Sequence, residues 1–451
     1  MISKSTIDKV FESSRVEEVI GDFVQLKKSG SNFKGLSPFS EERTPSFMVS
    51  PVKQIWKDFS SGKGGTVITF LMEHEHFTYP EAIRYLANKY NIEVEETEQT
   101  DEQKLISNEK ESLYLINDFA NKFFQNTLLN TDEGKSIGLS YFTERDFDKD
   151  IVKKFQLGYC KDIWSDFTDN AIKNGYNLKY LEKSGLTIIK ESKKFDRFKG
   201  RVIFPIQSMS GRILGFGGRT LKKTKSIAKY LNSPESEIYY KSKVLYGLFH
   251  AKQDIAKLDN CFLVEGYTDV IRLYQKGVRN VVASSGTALS SDQIRLINRL
   301  TNNITVVFDG DSAGINAAFR GIDIILEQGM NVKICNLPQG EDPDSFSKSK
   351  SNDEIVNFLS ENSKDFITYK ASLLIENSKK DPVKKAETIQ DMVNSISKIR
   401  DQIKKEIYIK ECSSIMGISE EVIYSTLAQI SKKEFNKNRQ IKNVSNESFT
   451  V

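Results

Sequence analysis

Carboxylates recur in this chain at one kind of place, just after a short apolar run. Phe262-Leu263-Val264 is followed by Glu265-Gly266, and Ile304-Thr305-Val306-Val307-Phe308 by Asp309-Gly310-Asp311. Val332-Lys333-Ile334-Cys335-Asn336-Leu337 leads, after a Pro-Gln-Gly turn, to Asp342-Pro343-Asp344. Acids gathered in one crevice repel and raise one another's pKa unless a cation neutralises them, and all-oxygen ligands of this kind suit Mg²⁺ or Mn²⁺, which also bind phosphates. A lone Asp-Gly is by default a turn, because Asp favours turns. Glu265, Asp309, Asp311, Asp342 and Asp344, all following apolar runs, read instead as a metal site for phosphate chemistry.

Such acids meet only if the elements between them bring them together. Residues 269–275, 291–300 and 313–327 read as helices, so the repeat is strand, acid, helix. In an open parallel sheet the groups just past the strand C-termini converge on one crevice. An α/β unit with a parallel sheet is therefore expected.

These residues carry a resemblance. Val264-Glu265-Gly266-Tyr267-Thr268-Asp269 and Phe308-Asp309-Gly310-Asp311-Ser312-Ala313-Gly314 resemble the two acidic motifs of the Toprim fold of bacterial primases, topoisomerases and some nucleases. Ahead of them, Arg197-Phe198-Lys199-Gly200-Arg201, Gly215-Phe216-Gly217-Gly218-Arg219 and Lys229-Tyr230-Leu231-Asn232 resemble, in order and spacing, the catalytic core of DnaG-type bacterial DNA primases. Tyr141-Phe142-Thr143-Glu144-Arg145 is similar to the motif that opens that core. The resemblance implies template-directed synthesis of short RNA primers on single-stranded DNA for replication, by a nucleotidyltransferase using Mg²⁺ or Mn²⁺. It implies that Glu265, Asp309 and Asp311 are catalytic and hold metal with Asp342 and Asp344, with Asp269 as a supporting acid. Lys229, Tyr230, Asn232 and Lys241 would bind the NTP, and Arg145, Arg197, Arg201 and Arg219 the template.

The same resemblance extends to the start of the chain and there departs from the family. Leu36-Ser37-Pro38-Phe39-Ser40 and Lys57-Asp58-Phe59-Ser60-Ser61 are similar to the primase zinc ribbon that selects the start site, yet the positions of its three Cys and one His are here Ser37, Ser40, Asp58 and Ser61. Hydroxyls that do not ionise near neutral pH are poor zinc ligands. A ribbon without zinc is expected, held by Phe39, Phe47, Ile55, Trp56 and Phe59 and by hydrogen bonds among the substituted polar positions.

The expected architecture is multidomain, α/β and α+β. A small β-ribbon domain (1–97) is joined by a linker (98–111) to a mixed α+β basic part of the core (112–258), and the ribbon is expected to be tethered and mobile. A Toprim α/β subdomain with a parallel sheet (259–365), a helical segment (366–431) and a disordered tail (432–451) complete the chain. Lys193 to Lys243 holds 13 Lys or Arg against three acids, a net of +10 in a chain whose total is +4, so the positive charge is local and reads as a phosphate-binding stretch. The four cysteines form no C-x-x-C pair and read as buried thiols. No apolar run reaches membrane-spanning length, and a cytoplasmic monomer working at the replication fork is expected. A replicative helicase is an expected partner, with its docking domain short or missing. Two other readings compete: a Toprim nuclease or topoisomerase that cleaves DNA, and a non-catalytic single-stranded nucleic-acid-binding relative. Too little chain follows Asp344 for a topoisomerase's DNA-gripping domain, and a relative without activity need not keep every acid.

Overall fold

The computed structural model describes residues 2–95, 101–191, 193–222, 227–286, 288–308, 312–348, 350–378 and 382–432, without the side chains of 4, 101–108, 312–318 and 373–378. It divides into two compact units, Met1–Leu258 and Asp259–Val451.

The first unit opens with α1 (Lys4–Ser13) and α2 (Val16–Gly21). The two helices are separate because Ser14 and Arg15 are extended and the Ser14 hydroxyl donates back to the Val10 carbonyl at 2.6 Å. An antiparallel meander follows: β1 (Lys27–Ser29), β2 (Asn32–Gly35), β3 (Phe47–Ser50), β4 (Ile55–Asp58) and β5 (Gly64–Gly65), paired in chain order. Helices α3 (Val67–His74) and α4 (Tyr79–Lys89) close it, the latter started by Thr78, whose N–H and hydroxyl both donate to Glu81 at 2.7 Å. Alternation along β4 sends Trp56 and Asp58 inward and Ile55 and Lys57 outward. Trp56 stacks on Phe47 at 5.4 Å and on Phe39 at 5.3 Å between ring centroids. Two residues expected in this core are outside it: Ile55 is 39% and Phe59 69% exposed, while Phe70 of α3 packs edge-on against Trp56 at 5.7 Å.

The rest of the unit begins with α5 (Asp101–Asn130), so the part of the expected linker that is described is already helical. A π-helical turn, Gly134–Leu139, leads into α6 (Ser140–Glu144). Only glycine fits at 134, where a Cβ would lie 1.9 Å from the Thr127 carbonyl oxygen. Next come α7 (Lys149–Lys154), β6 (Gly158–Cys160), α8 (Asp166–Lys173), α9 (Leu178–Lys183) and the hairpin β7 (Thr187–Lys190) and β8 (Lys193–Asp196). Strands β9 (Arg201–Gln207), β10 (Ile213–Thr220) and β11 (Tyr230–Asn232) then build an antiparallel sheet of order β11-β10-β9-β6, and α10 (Leu248–Leu258) ends the unit. Strand β9 is buried throughout, and Asn117 of α5 donates to the Leu214 carbonyl at 2.9 Å, fixing helix to sheet.

The ribbon does not hang free of this core. Lys252 of α10, 3% exposed, donates to the Glu75 carboxylate at 2.7 Å and to the Glu75 and Met209 carbonyls at 3.2 and 3.3 Å. Gln253 donates to the other Glu75 oxygen at 2.9 Å. Burial alone would raise the Glu75 carboxyl, but His74 and Lys252 outweigh it and push it down to about 2.

The second unit alternates strands and helices: β12 (Cys261–Val264), α11 (Tyr267–Gln275), β13 (Val281–Ala283), α12 (Ser291–Asn298), β14 (Asn303–Phe308), α13 (Ser312–Glu327), β15 (Asn331–Asn336), α14 (Pro343–Lys348), α15 (Asn352–Glu361) and β16 (Ser363–Asp365). The sheet order is β13-β12-β14-β15-β16, parallel except at β16, which runs antiparallel to β15 on the edge. The expected parallel sheet is present. Helices α16 (Phe366–Ser378), α17 (Pro382–Ser397) and α18 (Gln402–Met416) follow, and residues 420–432 are again helical. Lys370 donates to Ser395 at 2.5 Å, Ser395 to Asp323 at 2.6 Å, and Tyr408 to Asp365 at 2.6 Å, so these helices are built onto the sheet and its α13 layer. All four cysteines are free and buried.

Removing one partner of a buried ion pair leaves the other charge uncompensated, at a cost of roughly 3–5 kcal/mol. Lys252→Met is therefore expected to lower the urea midpoint of the first unit and expose α3 to hydrogen exchange; an unchanged midpoint would show that other contacts hold the ribbon in place. The Glu75 contribution is complete above its unfolded pKa, about 4.3, and fades as pH falls toward 2.

Candidate active site

Strands β12, β14 and β15 lie side by side in parallel register, Leu263 beside Val306 and Phe308 beside Asn336, so the segments leaving their C-termini start from one edge. Glu265 follows β12 directly, is exposed, and its carbonyl accepts the Ser285 N–H at 3.1 Å. Asp269 is buried and accepts the Gly266 N–H at 2.9 Å, which fixes the turn that carries Glu265. Asp342 caps α14, one oxygen accepting the Ser345 N–H at 2.7 Å. Asp344 accepts a bond from Arg272 Nε at 3.1 Å, and Arg272 is 1% exposed on α11. The sequence reading missed Arg272; its signal is the i, i+3 spacing from Asp269 on one helix. Asp309 and Asp311 lie outside the described residues, between the end of β14 and the start of α13. Among the described residues no three acids, histidines or cysteines are grouped as a metal site. The donor chemistry, carboxylates with no thiol or imidazole among them, nevertheless fits a hard divalent ion.

A second cluster belongs to the first unit. A cleft of about 750 Å³ is lined by Ser136, Tyr141, Glu144, Arg219, Lys222 and Lys229, among others. Arg219 and Tyr230 are cross-strand partners, as are Gly217 and Asn232, so Lys229, Tyr230 and Asn232 share the β11 edge beside Arg219. Lys241 stands on a separate 3₁₀ turn, its N–H donating to Glu235 at 3.3 Å. Arg145 ends α6 and lies over the Tyr141 ring. Nε and Nη1 of Arg219 are sealed from solvent with no hydrogen-bond partner.

One arginine assigned to the template, Arg201, is engaged within the sheet. Arg201 is 7% exposed and donates to the Gly218, Ala228 and Lys229 carbonyls at 3.1 to 3.3 Å, so its charge ties β9 and β10 to the segment leading into β11 and does not face a ligand. Burial, then the charge of Arg197, lowers its pKa. Arg197 has its Nε buried without a partner. Part of the local positive charge is spent on surface pairs, Lys222 and Lys199 with Asp162 at 2.5 and 3.7 Å and Arg212 with Glu111 at 2.8 Å. Lys223 and Lys225 lie outside the described residues.

The substituted ribbon positions converge on one buried carboxylate. Asp58, fully buried, accepts from the hydroxyls of Ser37 at 2.9 Å, Ser60 at 2.9 Å and Ser46 at 3.2 Å, from the Ser61 N–H at 3.1 Å and from the Ser61 hydroxyl. Ser40 joins through Ser60 at 2.6 Å. Burial would raise the Asp58 carboxyl, but the bonds from Ser61, Ser37 and Ser60 outweigh it and hold it below the usual carboxylate range. His74 bonds to Glu75 at 2.9 Å and stacks on Phe70 at 5.0 Å, away from this knot's hydrogen bonds.

Comparison with known proteins follows the same divisions. Family models match residues 2–102 (CHC2 zinc finger), 123–252 (DNA primase catalytic core, N-terminal domain), 262–347 (Toprim-like) and 377–421 (DnaB-helicase binding domain of primase). The last overturns the expectation of a short or missing docking domain. Within it α17 and α18 bury Met392, Val393, Ile396, Ile409, Cys412 and Met416. The DNA primase of Clostridium acetobutylicum is 38% identical over 97% of this chain and 72% of its own length, and that of Halalkalibacterium halodurans 37% over 93% and 69%. Among solved structures, the Aquifex aeolicus primase zinc-binding and RNA polymerase domains superpose with a TM-score of 0.64 at 30% identity, covering 93% of this chain and 98% of that one. A Pseudomonas aeruginosa DNA primase domain gives 0.63 at 34% identity, over 70% and 99%. Together, the acids leaving one edge of a parallel sheet, the fold and these matches show that the chain belongs to the DnaG-type bacterial DNA primases, nucleotidyltransferases that synthesise short RNA primers on single-stranded DNA for replication.

Proposed function

We propose that Glu265, Asp309, Asp311 and Asp342 hold Mg²⁺ or Mn²⁺ in this enzyme, with Asp269 and Asp344 supporting them. The observation that carries this is the parallel edge of β12, β14 and β15, from which these acids depart. Divalent metal there supplies charge neutralisation for the triphosphate and a more acidic attacking hydroxyl. The chain's own groups do the rest. Glu265, next to the turn capped by Asp269, accepts the proton of the primer 3′-hydroxyl as it attacks the α-phosphate and pyrophosphate leaves, in this reading. Asp344 is already neutralised by Arg272, so its role is to hold α14 and the Asp342 cap in place. Lys229, Tyr230, Asn232 and Lys241 bind the incoming NTP, and Arg145 and Arg219 the template. Residues 377–421 dock a DnaB-type helicase, which fits work at the replication fork in the cytoplasm; among the described residues no helix is long and apolar enough to cross a membrane.

The ribbon, in this reading, keeps the family's shape without zinc. Three serines and an aspartate supply no thiolate or imidazole, and Asp58 already has its lone pairs filled by hydroxyl and amide donors.

Labelled NTPs, a single-stranded DNA and Mg²⁺ should yield short RNase-sensitive oligomers. Asp309→Asn and Glu265→Gln should abolish them while folding and DNA binding persist; synthesis near the wild-type rate in either variant would remove the metal assignment. Protein purified without chelator should contain no stoichiometric zinc, and a chelator should leave the ribbon folded. Acid should not: the Asp58 carboxyl lies lower in the folded state, so its contribution is present above the unfolded value of about 3.9 and is lost as pH falls through the folded one. Stoichiometric zinc, or a ribbon melted by chelator, would overturn this reading.

A further inference from the structure

One aromatic ring serves both arginines of the proposed template path. The Tyr141 ring centroid lies 5.2 Å from Arg145 Cζ and 4.8 Å from Arg219 Cζ. The two cations reach it from different elements, Arg145 from the end of α6 and Arg219 from β10, so the ring is their shared point of reference. Tyr230 flanks Arg219 at 5.7 Å. Two guanidiniums this close repel, and each has a long flexible stem that would scatter its fork over many rotamers; a π-face attracts both and fixes their planes. Behind them the π-helical turn Gly134–Leu139 contributes Ser136 and Ile137 to the same cleft. The sealed, unpartnered Nε and Nη1 of Arg219 and the sealed, unpartnered Tyr141 hydroxyl lie within this group. Buried donors without acceptors are costly, so the stacking on the ring has to hold Arg219 in place against that cost.

We infer that Tyr141 is a positioning residue for template binding, its ring holding Arg145 and Arg219 as one unit against the backbone of a single strand. This rests on the reading that those two arginines contact the template. Once the ring is lost, the charges persist but their placement does not. The full chain would be titrated with a fluorescein-labelled oligo(dT) at several salt concentrations. Arg145→Ala with Arg219→Ala should lower the salt slope by about 1.4, at about 0.7 per lost phosphate contact. Tyr141→Leu should lower it nearly as much although no charge has been removed, and should add nothing in the double-arginine background. Tyr141→Phe, which keeps the ring, should restore the slope. If Tyr141→Leu does not fold, Tyr141→Met, of similar bulk without a ring, takes its place.

A slope and affinity unchanged in the ring-less variant, with the arginine variants impaired, would overturn the positioning role alone. So would an effect of Tyr141→Leu that persists in full in the double-arginine background, which would mark it as independent packing. Arginine variants that bind like wild type would remove the template reading and the positioning role with it.

Discussion

In the metal site we propose, carboxylates leaving one edge of a parallel sheet would carry like charges into a shared crevice, and that repulsion is the constraint the second unit would have to answer. Part of it is answered by the protein itself. Arg272, buried on α11, takes the charge of Asp344, and on the same helix Asp269 is engaged by the Gly266 amide. Both of these acids are therefore spoken for by the helix that follows the first strand. The ligands we propose for metal are Glu265, Asp309, Asp311 and Asp342. In that proposal their repulsion would be answered by a divalent ion and the phosphates that come with it.

The ribbon presents the opposite solution to a buried acid. Asp58 sits among serine hydroxyls and an amide, so a charge that burial would penalise is held by hydrogen bonds alone. A metal finger gains its folding energy from thiolate and imidazole ligands. In the zinc-free ribbon we propose, that energy would come from packing, centred on Trp56 stacked on Phe39 and on Phe47, with Phe70 edge-on. The ribbon also leans on its neighbour through Lys252 and Glu75, a pair separated by 177 positions in the chain. Surface ion pairs are worth little, but a buried pair fixes a relative placement because its partners cannot be separated cheaply.

What could be read before the structure follows the range of the physics. Strands β12, β14 and β15 and helices α11, α12 and α13 were legible in 261–337 because apolar runs and their bounding turns are local signals, whereas the short β13 was not. Strand β16 was not, since Ser363, Lys364 and Asp365 are polar and pair only because β15 offers an edge. The hydrogen-bonded knot at Ser37, Asp58 and Ser61 was foreseeable from residue type alone, whereas the outward turn of Ile55 needed the register of β4. Counting charge between Lys193 and Lys243 could not tell that Arg201 points inward to three carbonyls. Arg272 and Lys252 were invisible for the same reason: a cation's role depends on which carboxylate the fold brings to it.

In the proposed site the acids at the sheet edge form a cation site that is incomplete without metal. Thermal unfolding of the wild-type enzyme and of Asp309→Asn, each with and without Mn²⁺, tests it most directly, because a ligand that binds only the folded state raises stability by mass action. Mn²⁺ is expected to raise the wild-type midpoint and not that of the variant, and without metal the variant is expected to be at least as stable as wild type, since one repelling charge is gone. A metal-free variant clearly less stable than wild type, or one stabilised by Mn²⁺ as much as wild type, would contradict it.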